Sequence, residues 1–386
     1  MAGPLAGVRI VEMAGIGPVP FCGMLLADLG AEIVILDRPS RGAAHDITAP
    51  GWAGDVTRRG RRSLAIDLKH PLAAATVLRL AARADVLLEG FRPGVMERLG
   101  LGPEIVRGRN ERLVYGRMTG WGQDGPLAQS AGHDIAYIAL TGALAAMGRA
   151  NAPPAPPLNL IGDYGGGAML LAVGVLAALV ERGVSGRGQV VDAAMVDGAA
   201  LLLAPFFGML AGGHWRAERE ANLLDGGAPF YDTYACADGR FLAVGPLEPA
   251  FLRCFLSAIG LDEALAGNHR DRSRWPTLRT AIAGRLRERD RDAWATLLAG
   301  TDACAAPVLT MAEAAAHPHI AARATLVERG GVVQPAPAPR FSRTPPGLGE
   351  GPALAGAHSR AVLADFAFEG AEIEALLAAG CVAEAG

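Results

Sequence analysis

VRIVEMAGIGPVPFCGMLLADLGAEIVILD, residues 8–37, is the stretch that decides the fold. Val8–Met13 is a short apolar run and Ala14–Pro20 a Gly/Pro loop. Phe21–Leu29 has helical apolar spacing, and Glu32–Leu36 is apolar and β-branched. Strand, loop, helix and strand in that order make a βαβ unit, whose crossover is right-handed and whose strands run parallel. Gly15-Ile16-Gly17-Pro18-Val19-Pro20, with Asp37 closing the second strand, approaches a dinucleotide-binding fingerprint. It fails at the third glycine, which is Pro20, and Pro18 removes a backbone N–H, so NAD binding is not expected.

Further buried strands are expected at Ala84–Leu88, Arg112–Met118 and Gly188–Asp192, with a helix over Pro71–Arg83. Met169–Glu181 reads as a buried helix too short to span a bilayer, and a second apolar helix is expected over Met195–Met209. The character then changes. Tyr231–Gly245 reads as a hairpin turning at Asp238-Gly239, followed by helices at Ala250–Ile259, Trp275–Arg287 and Asp290–Leu298. A Pro-rich segment, 334–339, precedes a tail with helices at Ser359–Asp365 and Ala371–Ala379. The expected architecture is α/β: a Rossmann-like open parallel-sheet large domain plus a smaller α+β domain. Residues 1–200 form the first, 201–224 a linker helix region and 225–330 the second. Residues 331–386 return to complete the large domain.

The chain has 386 residues, 51% hydrophobic and 19% charged, with net charge -3. Two domains suit that length, and the charge gives no electrostatic case for nucleic acid or an anionic membrane. Cys22, Cys236, Cys254, Cys304 and Cys381 are scattered, with no metal-ligand spacing, so no metal site is expected. Such thiols suit a reducing compartment, and the N-terminal apolar stretch is broken by Arg9, Glu12, Gly15, Gly17 and Pro18. Cytoplasm is the expected location.

Three short segments can carry chemistry. In Gly132-His133-Asp134 a histidine and an aspartate open a helix, where backbone N–H groups and the positive dipole end stabilise an oxyanion. Equally, Asp134 can simply cap that helix with His133 on the surface. In Asn159-Leu160-Ile161-Gly162-Asp163-Tyr164-Gly165-Gly166-Gly167 a carboxylate stands beside three consecutive glycines, either as a base or nucleophile or as a helix cap. In Gly245-Pro246-Leu247-Glu248-Pro249 a glutamate is held between prolines, either to orient a histidine or as a solvated loop acid. Arg38, Lys69, Arg92, Arg98 and the cluster Arg58, Arg59, Arg61 and Arg62 are candidate cations for a polyphosphate ligand, or else a solvated basic face.

Together these motifs, with LLEGFRPGVMERLGLGP, MTGWGQDGP, AGHDIAYIALTG, PPLNLIGDYGGGAM and GRGQVVDAAMVDG, resemble the family III CoA-transferase superfamily, and within it the α-methylacyl-CoA racemases. The resemblance implies the family's fold in an interlocked homodimer with composite active sites. It implies His133 and Asp163 on opposite sides of a substrate α-carbon, Glu248 holding His133, and the helix start at Asp134 receiving the thioester oxygen. Arg38, Lys69, Arg98 and Tyr137 would contact CoA. The long segment Arg41–Asp55 would lie near the mouth of the CoA site. The implied reaction is epimerisation of 2-methylacyl-CoA thioesters through an enolate, with CoA as part of the substrate and no separate cofactor. CoA transfer through an acyl anhydride at Asp163 is the alternative. Inversion needs a proton to leave one face of the α-carbon and another to arrive on the opposite face, so two different acid–base groups are expected.

Overall fold

The structure is a computed structural model that describes residues 3–39 and 54–385; most of the 41–55 segment lies outside the described residues. In chain order the first elements are β1 (Arg9–Met13), α1 (Pro18–Asp28), β2 (Glu32–Asp37), β3 (Arg61–Ile66), α2 (Ala73–Ala81) and β4 (Val86–Glu89). There follow α3 (Val95–Arg98), α4 (Pro103–Arg109), β5 (Val114–Thr119) and α5 (Asp134–Leu140). A π-helical turn over Leu160–Ala168 runs into α6 (Met169–Ser185), then β6 (Val190–Ala194) and α7 (Met195–Leu202). Next come α8 (Ala204–Ala211), β7 (Asp232–Ala235), β8 (Phe241–Val244), α9 (Pro249–Ala258), α10 (Trp275–Leu286) and α11 (Arg291–Leu298). After these stand β9 (Ala305–Pro307), α12 (Met311–Ala316) and α13 (Pro318–Ala322). The chain ends with β10 (Leu326–Arg329), β11 (Val332–Pro335), α14 (Ser359–Asp365), α15 (Gly370–Ala378) and β12 (Val382–Ala383).

Two compact units result. The first comprises residues 1–141, 158–202 and 321–386, and the second residues 142–157 and 203–320. The return to the first unit thus falls at 321 rather than 331, and 142–157 stands apart from the first stretch of chain.

The first unit holds a seven-stranded sheet in the order β12-β3-β2-β1-β4-β5-β6, parallel except for β12 on β3. Its strands alternate between two buried layers: Val11, Val34, Leu36 and Leu64 pack under α2, α14 and α15, while Ile10, Ile33, Val86 and Val114 pack under α1 and α6. Burial on both faces is what a parallel sheet requires. In the second unit β7, β8 and β9 form a small antiparallel sheet over a core of Phe230, Phe255, Trp275, Ile282 and Trp294. The hairpin turn at Gly239 has φ +74°, which glycine accommodates without strain.

Several local expectations shift. α1 begins at Pro18, because a proline in the first turn gives up no helix hydrogen bond. The helix expected over Met195–Met209 is broken at Leu203 into α7 and α8. The helix expected at Met169–Glu181 is longer, and only one side of it is buried; Val173, Val180 and Val184 are exposed. With the preceding turn, Leu160–Ser185 is long and apolar enough by length and composition to cross a membrane, a test that core helices also pass.

The largest correction concerns the arginines. Arg58, Arg59 and Arg61 form neither a phosphate site nor a solvated face. Arg58 pairs with Asp37 at 2.6 Å, Arg59 with Asp28 at 2.5 Å and Arg61 with Glu12 at 2.7 Å, all buried. Arg62 pairs with Glu32 and Asp365. Arg61 also donates to the Pro20 carbonyl at 2.9 Å, joining β3, β1 and the first turn of α1. α1 lies directly over this pair: a Cβ on Gly23 would stand 2.1 Å from Glu12 Oε2. Burial pushes the Glu12 carboxyl above its usual range, opposed by Arg61. Arg61→Met strands that carboxylate and should lower stability by about 3–5 kcal/mol in urea unfolding, most of which Glu12→Met added to Arg61→Met should restore. A single variant as stable as the parent would contradict this account.

Candidate active site

The strand order reverses between β1 and β4, where successive connections leave for opposite sides and a crevice opens at the strands' carboxyl ends. A cavity of about 560 Å³ lies there, within the first unit. Gly17, Pro18 and Val19 after β1, Phe91 and Arg92 after β4, and Trp121 after β5 line it. His133, Tyr137, Asn159 and Asp163 complete the wall. Two of the sequence-selected segments, 132–134 and 159–167, therefore meet in one place.

Asp163 stands in the π-helical turn. The glycines around it serve close approach: a Cβ on Gly166 would lie 2.5 Å from the Ala199 amide nitrogen, and one on Gly198 would overlap the Gly166 carbonyl. α7 can thus press against the turn with no side chain between them. The Asp163 N–H donates to Asp134 Oδ2 at 2.7 Å, and Asn159 Nδ2 donates to Asp163 Oδ2 at 3.0 Å. Opposite stands Gly17, at φ +71°, where a Cβ would sit 3.2 Å from the carboxylate. Burial raises the Asp163 pKa; the Asn159 hydrogen bond opposes this, the Asp134 charge adds to it and His133 pulls it back. Tyr164 stacks on Phe21 with ring centroids 4.4 Å apart.

His133 occupies the N-cap position of α5 in extended conformation, makes no side-chain capping bond, and leaves its imidazole exposed at the cavity. Asp134 is buried and accepts from the Asp163 amide rather than from α5, so the helix-capping role does not hold. Its other oxygen, Oδ1, has no partner among the described residues. One carboxylate thereby ties the histidine's helix to the aspartate's turn. Tyr137 lies against Gly120 and Gly132, where any Cβ would strike its ring, and meets Trp121 edge-on at 4.7 Å. Burial, and then the Asp163 charge, raise the Tyr137 pKa against the pull of Arg92.

Glu248 belongs to the second unit. It is exposed at the N-cap of α9, and the neighbouring Leu247 carbonyl is 3.3 Å from Nε2 of the buried His269. Arg38, Lys69 and Arg98 are exposed and make no ion pair among the described residues, but they do not line the cavity; Arg92 does. Asn159 and Trp121 are site residues to which sequence inspection assigned no role. The one available signal was position, four residues before Asp163 and inside MTGWG. Among the described residues no group of three His, Cys, Asp or Glu could hold a metal.

A polar crevice at the switch point of a doubly covered parallel sheet is the place where α/β proteins bind their ligands, and the chain belongs to CoA-transferase family III, whose model matches residues 5–359. It is 44% identical over 373 residues to alpha-methylacyl-CoA racemase of Mus musculus and 43% identical over 372 residues to that of Homo sapiens. Each match covers 96% of this chain and 95% of the relative. The crystal structure of Rv3272 from M. tuberculosis superposes with TM-score 0.78 at 29% identity, covering 94% of this chain and 99% of that one.

The Asp163 geometry has a consequence for stability. In an unfolded chain this carboxyl titrates near 3.8, and in the fold it titrates higher. The folded state therefore holds the proton more firmly, and stability falls as pH rises from the unfolded value through the folded one. Asp163→Asn removes that cost. The variant should melt above the parent at about pH 7–8, and the gap should close towards about pH 4. Melting curves that stay parallel across that range would count against a desolvated Asp163.

Proposed function

We propose that the chain is an α-methylacyl-CoA racemase, interconverting the (2R) and (2S) epimers of 2-methylacyl-CoA thioesters by removing and returning the α-proton. The mouse and human relatives, similar over nearly the whole chain, support this activity. The observation that carries the residue roles is that His133 and Asp163, from separate elements, line one cavity.

His133, exposed with no capping bond, takes the proton from one face. Asp163, whose raised pKa favours the protonated form more than in an exposed aspartate, delivers a proton to the other. The reverse direction exchanges their roles. The enolate oxygen lies at the start of α5 beside Asp134. Arg38, Lys69, Arg98 and Tyr137 hold the CoA portion. No metal or redox group is needed for this 1,1-proton transfer. Scattered free cysteines suit a cytoplasmic setting.

In deuterated water both epimers should acquire deuterium at the α-carbon with no acceptor acid added. His133→Ala and Asp163→Asn should each slow epimerisation on the order of 10²–10⁴-fold. A family III transferase would instead move CoA to an added carboxylate, with hydroxylamine trapping of an acyl group at Asp163. That pattern, with His133→Ala still active, would replace the racemase assignment.

The active enzyme is a homodimer in which Glu248 of one copy orients His133 of the other. Glu248 belongs to a compact unit separate from the one holding His133. Mixing unfolded-and-refolded His133→Ala and Glu248→Ala proteins should regain part of the parental activity, since some mixed dimers hold one complete site. Full activity in a sedimenting monomer would contradict this assembly.

A further inference from the structure

The loop from β4 to α3, Gly90-Phe91-Arg92-Pro93-Gly94, supplies Phe91 and Arg92 to the cavity wall, and both of its ends are held by one side chain. Glu89, the last residue of β4, is completely buried. Its Oε2 accepts the Phe91 N–H at 2.8 Å, and its Oε1 accepts Arg117 Nε at 2.8 Å. Arg117 is Glu89's register partner on β5 and is 7% exposed. The other edge of its guanidinium meets Glu97 in α3, Nη1 to Oε1 at 2.9 Å and Nη2 to Oε2 at 3.3 Å. One planar cation therefore bridges the residue before the loop and a residue just after it. A lysine, a point charge without the fork, does not reproduce this.

A purely structural role accounts for the Glu89 half, since a carboxylate buried on a strand requires a partner. It does not account for the Glu97 half. Glu97 itself stands largely in solvent, and an ion pair with one partner exposed adds less to stability than the buried Glu89 pair. What the second arm does is fix α3, which carries Arg98, relative to β4 and β5, and so set the conformation of the segment between. Gln129 holds the same loop from outside through the Pro93 carbonyl, at 3.3 Å.

We propose that Arg117 is a positioning residue, a two-armed clamp that presets the 90–98 segment so that Arg92 and Arg98 are already placed for the CoA part of the substrate. This deepens the CoA-thioester assignment above and rests on it. Ordering a loop before binding removes that cost from the binding step.

The test uses Glu97→Ala, which cuts only the exposed arm and leaves the buried pair intact, and Arg117→Lys, which keeps the charge and loses the fork. Calorimetry with CoA itself should show affinity weaker by roughly tenfold in Arg117→Lys and several-fold in Glu97→Ala. Amide exchange of residues 90–98 in the unliganded enzyme should quicken while that of β1 stays as in the parent. With 2-methylacyl-CoA, KM should rise and kcat stay near the parental value. Unchanged CoA affinity in a folded Glu97→Ala protein overturns the clamp, whatever its effect on melting temperature. Because CoA binding and amide exchange are read without turnover, absence of α-proton exchange in the parent would sink the racemase assignment and leave this test standing.

Discussion

The Glu12–Arg61 ion pair is the contact on which the active-site half of the molecule depends. It is buried beneath α1, with both guanidinium-facing oxygens of Glu12 engaged and the Pro20 carbonyl sharing the same Nη1. Charges inside a low-dielectric core are costly unless paired with good geometry, and once paired they are hard to displace. The pair therefore fixes β1, β3 and the first turn of α1 together, and Gly23 lets the helix lie directly upon it. The loop leading into that first turn is one wall of the cavity.

The side of the cavity that holds Asp163 is built by a different device, close backbone approach. Gly162, Gly166, Gly167 and Gly198 let the π-helical turn, α5 and α7 pack at distances no side chain permits. Asp163 is left partly desolvated in the space that results. A carboxyl in that position is less stable ionised than it would be in water, so burial raises its pKa above the usual aspartate range. Asp134 joins α5 to the turn that carries Asp163 by accepting a hydrogen bond from the Asp163 amide. Movement of either element is thus felt by the other.

Burial also separates the cations into two populations. Arg58, Arg59, Arg61 and Arg117 hold elements together, whereas Arg38, Lys69, Arg92 and Arg98 remain exposed, with no ion pair among the described residues. The first group keeps the sheet and its loops in place, and the second stands in solvent.

Sequence alone determined the βαβ start, the parallel sheet, the hairpin at Asp238-Gly239 and most helices, because apolar periodicity and Gly/Pro punctuation are local signals. It also singled out His133, Asp163 and Glu248, since few residue types perform proton transfer and these stand beside glycines or prolines. It left Arg58, Arg59 and Arg61 as either a phosphate-binding cluster or a solvated basic face, and it assigned no strand to Arg61–Ile66, which is β3. Only the tertiary structure could decide those points: Asp37, Asp28 and Glu12 lie 21, 31 and 49 residues away from their arginines. A charge's partner, its burial and therefore its role are properties of the packed chain. So are the placements of Asn159, Trp121 and Arg117, for which the sequence offers at most a position near a motif.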